Sequence, residues 1–119
     1  RQYLVGYAAG GQARGWTFDF LMEDRLVNDE VNGTSLLILF DGRAGAWLYD
    51  RQVDGEVLSF TETEAGLIDE QTQSKWDRRS MRATSGPLEG KQLTMLPGVI
   101  SFTHAWKVFH PETTLYKLD

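Results

Sequence analysis

The 119-residue sequence contains no cysteine. This absence excludes disulfide bonds, thiolate metal sites and thiol nucleophiles, but it does not indicate a cellular compartment. Histidine is also scarce, and neither His104 nor His110 has a convincing carboxylate partner in the sequence. We therefore predict no metal site and no cofactor. No serine lies in the Gly-x-Ser-x-Gly context of many hydrolases, so no catalytic residue is assigned.

Basic residues and long apolar runs are lacking as well. The net charge is −5 and the lysines and arginines are dispersed, which argues against nucleic acid as a partner. The run Leu36 to Phe40 is far shorter than the roughly 20 apolar residues of a membrane-spanning helix. The length predicts a single domain over residues 1–119. Because the chain opens at Arg1 without Met or a leader-like segment, we expect a processed or excised domain.

Turn dipeptides recur at short spacing along the first half of the chain. They are Gly10-Gly11, Asn32-Gly33, Asp41-Gly42 and Asp54-Gly55, and such pairs tolerate the positive φ of tight hairpin turns. The segments between them are rich in β-branched and aromatic residues: Tyr3–Ala8, Gln12–Phe18, Leu26–Val31, Ser35–Phe40, Ala44–Arg51 and Val57–Thr61. The pattern predicts a mainly β fold, an antiparallel barrel or sandwich built from consecutive hairpins.

Individual segments differ in what they predict. Leu36–Phe40 is apolar on both faces, which indicates a central strand covered on each side. In Gln52–Gly55, polar and apolar residues do not alternate clearly, which predicts a solvated loop. The stretch Glu62–Gly86 is polar and gives no clear pattern, although Met81–Thr84 within it and Gln92–Leu96 after it are short candidate strands.

One C-terminal helix is predicted to lie across the sheet. Its apolar stripe has the helical spacing i, i+3, i+4, i+7 and consists of Phe102, Ala105, Trp106 and Phe109. Ser101 is the candidate N-cap, and Pro111 should end the helix at about His110. His104 faces away from the stripe and should be exposed. Thr113–Leu118 is expected to return as a last edge strand.

Several short segments together resemble one known family. They are Gly11–Trp16, Asp24–Asp29, Tyr49–Gly55, Ile68–Trp76, Gly86–Leu93 and Trp106–Thr113. In this order and spacing the chain resembles domain of unknown function family 3179 of bacteria and archaea. The resemblance covers nearly the whole chain. Each segment is short, and their combination makes the resemblance specific.

The chain departs from that family where chemistry would be expected. The resemblance implies a Cys-Pro-Leu-Cys turn, or a selenocysteine variant, beside a His-Glu pair, an arrangement suited to thiol redox or soft-metal binding. Here Phe40 and Arg43 stand for the two cysteines, and Asp24 and Arg25 stand for the His and Glu. Because the two cysteines and the His-Glu pair are all absent, we interpret the thiol site as lost.

An alternative is that the site was rebuilt. Asp24, Arg25, Asp41 and Arg43 would then line one ligand-binding cluster, in which carboxylates and guanidinium groups hold an anion or a polar ligand. Otherwise Asp41-Gly42 is only a type I′ turn and Arg43 is a solvated charge. The family segment Asp50-Arg51 is interpreted as part of a structural ion-pair network.

The chain has four tryptophans: Trp16, Trp47, Trp76 and Trp106. We predict that each packs in the core, because large aromatic side chains are usually buried. The alternative is that an exposed tryptophan stacks on a sugar ring.

These observations predict a non-catalytic, extracytoplasmic binding or accessory domain that has lost the thiol site of the family it resembles. A protein partner in a larger assembly would bind it. The alternatives are a small anion-binding protein or enzyme using the Asp/Arg cluster, and a carbohydrate-binding module.

Overall fold

The computed structural model describes residues 2–118, which form short strands and two short helices. The elements are β1 (Tyr3–Ala9), β2 (Gln12–Thr17), α1 (Phe18–Glu23), β3 (Leu26–Val31), β4 (Thr34–Phe40), β5 (Ala46–Asp50), β6 (Gln52–Val53), β7 (Glu56–Val57), β8 (Phe60–Thr63), β9 (Gly66–Asp69), β10 (Lys75–Asp77), β11 (Arg82–Ser85), β12 (Thr94–Leu96), β13 (Val99–Phe102), α2 (Thr103–Phe109) and β14 (Thr114–Leu115). Within this range no helix has the length and hydrophobicity needed to cross a membrane.

The strands form a sandwich, as one of the two predicted architectures requires. The first sheet has the order β13-β1-β2-β14, the middle sheet β12-β5-β4-β3 and the third sheet β11-β10-β9-β8, while β6 and β7 form a separate hairpin. The paired strands are antiparallel except β14, which runs parallel to β2. The predicted mainly β, antiparallel fold is therefore confirmed, with three layers of sheet.

Strand β4 is the centre of the molecule. Its even-numbered residues from Leu36 to Phe40 belong to one core cluster, together with Val5 and Trp16 of the first sheet. Its odd-numbered residues belong to a second cluster that includes Phe60 of the third sheet. Because successive side chains of a strand point to opposite faces, this strand must be apolar throughout. The predicted two-sided burial is confirmed.

The hairpin predictions at Gly10-Gly11 and Asn32-Gly33 are confirmed by the pairing of β1 with β2 and of β3 with β4. Asp54-Gly55 is also a turn, with positive φ at both residues. It joins β6 to β7, however, so the prediction of a solvated loop over Gln52–Gly55 is wrong. Val53 is buried in the core, which explains why this segment is held in a hairpin.

The stretch without a clear pattern supplies most of the third sheet, in strands of three or four residues that are too short for their alternation to be recognised. The candidate strands at 81–84 and 92–96 correspond to β11 and β12. Helix α1 was not predicted, since its six residues give no helical period. Thr17 caps it by accepting a hydrogen bond from the Phe20 N–H at 3.4 Å.

The C-terminal helix α2 lies on the outer face of the first sheet, held by Trp106. The indole packs directly on Gly6, where an added Cβ would come within 2.5 Å of Cζ2, and its N–H donates to Thr113 Oγ1 at 2.8 Å. The helix ends as predicted, with the His110 N–H donating to the Trp106 carbonyl at 2.8 Å. The exposed position of His104 is also confirmed.

Two parts of the helix prediction are wrong. Ser101 is not the N-cap, because β13 continues to Phe102, and Phe102 caps α2 without a side-chain hydrogen bond. The apolar stripe is also not buried as a whole: Phe109 is 80% exposed and Phe102 is about half exposed. Phe102 follows the alternation of a strand rather than a helix face, and Trp106 is the one buried residue of the short helix. The predicted last edge strand is present as β14, in parallel pairing with β2.

Candidate functional site

The turn that replaces the family's thiol motif is a closed loop between β4 and β5. The Asp41 N–H donates to the Gly45 carbonyl at 2.9 Å. Asp41 Oδ1 in turn accepts hydrogen bonds from the N–H groups of Arg43, Ala44 and Gly45, at 2.7, 3.1 and 3.0 Å. The bond from Arg43 is the main reason that the pKa of the Asp41 carboxyl lies below its ordinary value, with further help from Gly45 and Ala44.

This geometry corrects the prediction of a type I′ turn. Such a turn needs positive φ at both central residues, whereas within the loop Gly42 has positive φ and Asp41 does not. Because the carboxylate of Asp41 binds three consecutive backbone donors, the loop spans Asp41 to Gly45, and β5 begins at Ala46. Asp41 therefore has a structural role in the loop.

The segment of Asp24 and Arg25 lies beside this loop. The Phe40 N–H donates to the Arg25 carbonyl at 3.0 Å. The Arg25 guanidinium lies so close to Gly42 that an added Cβ would come within 2.5 Å of Nη1. The two segments that replace the thiol turn and the His-Glu pair are thus neighbours.

Asp24 is engaged by the C-terminal segment rather than by the loop. Its Oδ2 accepts hydrogen bonds from Lys117 Nζ at 2.7 Å and from the Tyr116 hydroxyl at 3.1 Å. The hydrogen bond from Lys117 is the largest cause of the lowered pKa of the Asp24 carboxyl. Among residues 2–118, the side chains of Arg25 and Arg43 form no salt bridge within the 4.0 Å N–O limit.

Three of the four sequence-predicted residues line one open groove of about 680 Å³, which we call the Asp24 groove. Its lining consists of Glu23, Asp24, Arg25, Leu26, Phe40, Asp41, Thr61, Glu62 and Arg78. Arg43 does not line it. The quartet is thus brought to one region without forming a mutual ion-pair cluster, and its ligand-binding role stays a prediction.

A second groove of about 440 Å³ shares Phe40, Asp41 and Arg78 with the first, and we call it the Trp47 groove. It is lined by Leu39, Phe40, Asp41, Trp47, Tyr49, Arg78, Arg79 and Met95. Arg78 lines both grooves. Its guanidinium donates to Glu62 Oε1 at 2.6 Å and to the Phe40 carbonyl at 3.2 Å.

The sequence did not identify the Trp47 groove as a site. Trp47 was predicted to pack in the core, but it is 42% exposed, whereas Trp16, Trp76 and Trp106 are buried as predicted. The alternation of β5 could have shown that Trp47 and Tyr49 share one face. The nearness of Arg78, Arg79 and Met95 depends on how the sheets pack, and no local pattern reveals it.

The predicted Asp50–Arg51 network takes a different form. Arg51 donates to three backbone carbonyls, those of Leu36 at 2.8 Å, Leu58 at 2.9 Å and Asp29 at 3.0 Å. Asp50 instead accepts from the Gln52 N–H at 3.0 Å. Arg51 therefore ties β3, β4 and the segment before β8 together through their backbones, and no Asp50–Arg51 ion pair forms.

Other polar residues of the family-like segments also hold the fold. Asn28 bonds both backbone groups of Phe60, with Nδ2 donating to its carbonyl and Oδ1 accepting from its N–H, each at 2.9 Å. The buried Asp69 accepts from the Trp76 indole at 2.8 Å and from Thr72. These residues are placed for packing, away from both grooves.

Among residues 2–118, no three His, Asp or Glu side chains are grouped as ligands of a metal ion would be.

Comparison with known families adds one result. The model of the family described as proteins of unknown function, DUF3179, matches residues 1–113. The chain belongs to this family. The match includes both segments of the candidate site, so this chain is a DUF3179 member without cysteine in its β4–β5 loop. Comparisons with curated proteins and with solved structures give no match.

Proposed function

We propose that this DUF3179 domain is a non-catalytic binding or accessory subunit, located outside the cytoplasm, in a larger assembly. A partner protein would add a β-strand to the free side of β13. We call this the β13 edge and define it as residues Val99 to Phe102. The exposure of apolar side chains along an end strand is the observation that carries the proposal.

The β13 edge has the features of a strand-accepting surface. β13 is the end strand of the first sheet and pairs with β1. Within residues 2–118, β13 pairs with no strand other than β1. Val99, Ile100 and Phe102 are each about half exposed. Unpaired N–H and C=O groups of an end strand can pair with an incoming strand, and the neighbouring side chains then set specificity.

The absence of charged residues on β13 indicates what kind of partner strand it would accept. Natural end strands are commonly protected by charged residues or proline. Such charges are present at Asp29 and Glu30 on β3 and at Glu62 on β8, but residues 92–103 contain none. Because Val99 and Ile100 point to opposite faces of β13, we expect the partner strand to be uncharged and apolar on both faces.

The loop geometry supports a non-catalytic role. Phe40, at the position of the first family cysteine, is 1% exposed and packs against Phe18 with ring centroids 4.9 Å apart. Asp41 and Asp24 already accept hydrogen bonds from their own surroundings. Asp41 binds backbone N–H groups of its own loop, and Asp24 binds the C-terminal segment through Lys117 and Tyr116. These contacts favour a structural role for the two carboxylates over acid–base catalysis.

Site-specific photo-crosslinking in the native host tests the proposal. The photoreactive residue p-benzoylphenylalanine replaces Phe102 in one variant and Val57 of the separate β6–β7 hairpin in a control. We expect a single protein adduct from position 102 and not from position 57. Adding Ile100→Lys, which places a charge on the exposed edge, should abolish the adduct while the melting temperature stays within about 2 °C, as for other surface substitutions.

Other outcomes would contradict the proposal. Equal adducts from positions 102 and 57, or an adduct that Ile100→Lys leaves intact, would show that β13 is not the docking strand. An adduct between two copies of this chain would identify self-association in place of a partner. Fractionation of native cells provides the separate test of location, and recovery in the cytoplasmic fraction alone would contradict the extracytoplasmic assignment.

A second candidate function is anion binding in the Asp24 groove. It is favoured by the Arg25 guanidinium, which lines the groove without a salt bridge among residues 2–118. Titration with inorganic phosphate, followed by NMR shifts of the Gly42 amide, would detect it. Arg25→Gln should remove the binding and Arg43→Gln should not, since Arg43 lies outside the groove.

A further inference from the structure

Trp47 differs from the other three tryptophans in how its indole N–H is used. The buried Trp16, Trp76 and Trp106 donate to Asp29 Oδ2, Asp69 Oδ1 and Thr113 Oγ1, each at 2.8 Å. Trp47 makes no such bond to any residue of the described range, and none of the ring contacts found there involves it. A flat apolar ring with a free donor therefore faces the Trp47 groove.

The ring of Trp47 contacts the loop that precedes β5. Its six-membered ring lies over Gly45, so closely that an added Cβ would collide with Cη2. Across the sheet, Trp47 is paired with Leu39, which is buried. Gly45 therefore supports one part of the ring before any ligand arrives, and an aromatic side chain, with only two rotatable bonds, loses little entropy on binding.

Tyr49 supplies a second donor on the same face of β5. Its ring belongs to the core, while its hydroxyl has no hydrogen-bond partner in residues 2–118 and is not among the fully buried polar atoms. Burial raises the pKa of the Tyr49 hydroxyl, so at neutral pH it carries a proton that it can donate.

The charges on the opposite wall favour an acidic ligand. Arg79 is exposed and its side chain forms neither a hydrogen bond nor a salt bridge within the described residues. Asp41 is the carboxylate among the lining residues, and its Oδ1 is already occupied by three backbone N–H groups. Apart from Asp41 Oδ2, the lining side-chain groups without a hydrogen bond in the described residues include an indole N–H, a hydroxyl and a guanidinium. These three are donors, so they favour acceptor atoms and negative charge in the ligand.

We propose that the Trp47 groove binds a small ring-shaped molecule that carries a carboxylate. The ring would lie against Trp47, and the carboxylate would accept hydrogen bonds from Arg79 and from the Tyr49 hydroxyl. A volume of about 440 Å³ is in the range of small-molecule sites. An acidic sugar and an aromatic acid share this chemistry. The site is separate from the β13 edge and does not depend on the proposed function.

The test uses the whole domain and two matched pairs of probes. Galacturonate and galactose form one pair, benzoate and benzyl alcohol the other, and the Trp47 indole N–H resonance reports binding by NMR. We expect at least one acid to bind saturably, and about tenfold or more tightly than its neutral counterpart, as charged hydrogen bonds imply. The acid that binds more tightly identifies the ligand class.

Variants then assign the groups. Arg79→Gln and Tyr49→Phe should each weaken binding of that acid, Arg79→Gln by about tenfold. Arg43→Gln, an exposed arginine on the neighbouring loop, should bind as the parent chain does. Because the Arg79 side chain is exposed and makes no hydrogen bond within the described residues, Arg79→Gln should fold as the parent chain does, and the test needs no truncation of Trp47. The proposal is wrong if neither acid shifts the indole resonance, if neutral probes bind equally, or if Arg79→Gln has no effect.

Discussion

At the scale of single residues, Arg51 has the clearest structural role, since its side chain links separate strands. It donates to three carbonyls from different parts of the chain, and the planar guanidinium is suited to such divergent bonds. We expect Arg51→Met to lower the free energy of unfolding by about 3–5 kcal/mol, because three carbonyls would lose their donor. Urea denaturation measures this. The matched control Arg79→Met should change it by less than about 0.5 kcal/mol, and a similar loss in both variants would contradict the assignment.

Asp41 gives a prediction on pH at the same scale. Hydrogen bonds from the Arg43, Gly45 and Ala44 N–H groups lower its pKa below the ordinary value of 3.8. A lowered pKa in the folded state means that the carboxylate contributes to stability above the unfolded-state pKa. This contribution is lost as the pH falls through the folded-state pKa.

Solution NMR can observe this ionisation directly. The amide protons of Arg43 and Gly45 should titrate together, with a midpoint below pH 3.8. Asp41→Asn should abolish the titration while the loop is retained, because its side-chain oxygen can still accept the bonds. A midpoint at or above 3.8 would show that the loop is open in solution.

At the scale of elements, α2 depends on one aromatic contact with the first sheet. Trp106→Ala should lower the free energy of unfolding by about 3–5 kcal/mol, as truncation of a buried aromatic does. Phe109→Ala, at the exposed end of the same helix, should change it by less than about 0.5 kcal/mol. Equal effects would show that the helix packs differently.

The contact can be isolated by a second substitution. Gly6→Ala places a methyl group where the Trp106 ring lies and should destabilise the parent domain. In the Trp106→Ala background the same change should cost much less, because the space is then empty. A double-mutant cycle from urea denaturation measures this coupling, and additive effects would contradict direct packing.

Sequence patterns predicted the elements whose structure is specified by their own local sequence. The apolar run of β4 and the Asn32-Gly33 turn specify their structures locally, and Pro111 limits α2. The exposure of Phe109 and Trp47 could not be predicted, because it depends on how far a neighbouring sheet extends. The prediction of a type I′ turn at Asp41-Gly42 was wrong because Asp-Gly usually indicates a two-residue turn. Here the Asp41 carboxylate accepts three backbone hydrogen bonds and stabilises a longer loop instead. The Trp47 groove is lined by residues of β5, β12 and the segment after β10. These parts of the chain become neighbours only when the sheets pack.

At the scale of the whole molecule, the three-layer arrangement predicts an order of local stability. β4 is paired on both sides and buried on both faces. Its amides should therefore exchange with deuterium only through global unfolding. β13 has one unpaired side and half-exposed side chains, so amides that face that side should exchange much faster through local opening.

Native-state hydrogen exchange of the purified domain at two protein concentrations checks this order. Slow exchange in β4 and fast, concentration-independent exchange at the β13 edge is the expected result, because a free strand end is what a partner would need. If protection at β13 instead rises with protein concentration, the edge is covered by a second copy of the chain. If β4 exchanges as fast as β13, the middle sheet is not the stable centre on which both grooves are built, and the loop of Asp41 would lose its rigid support.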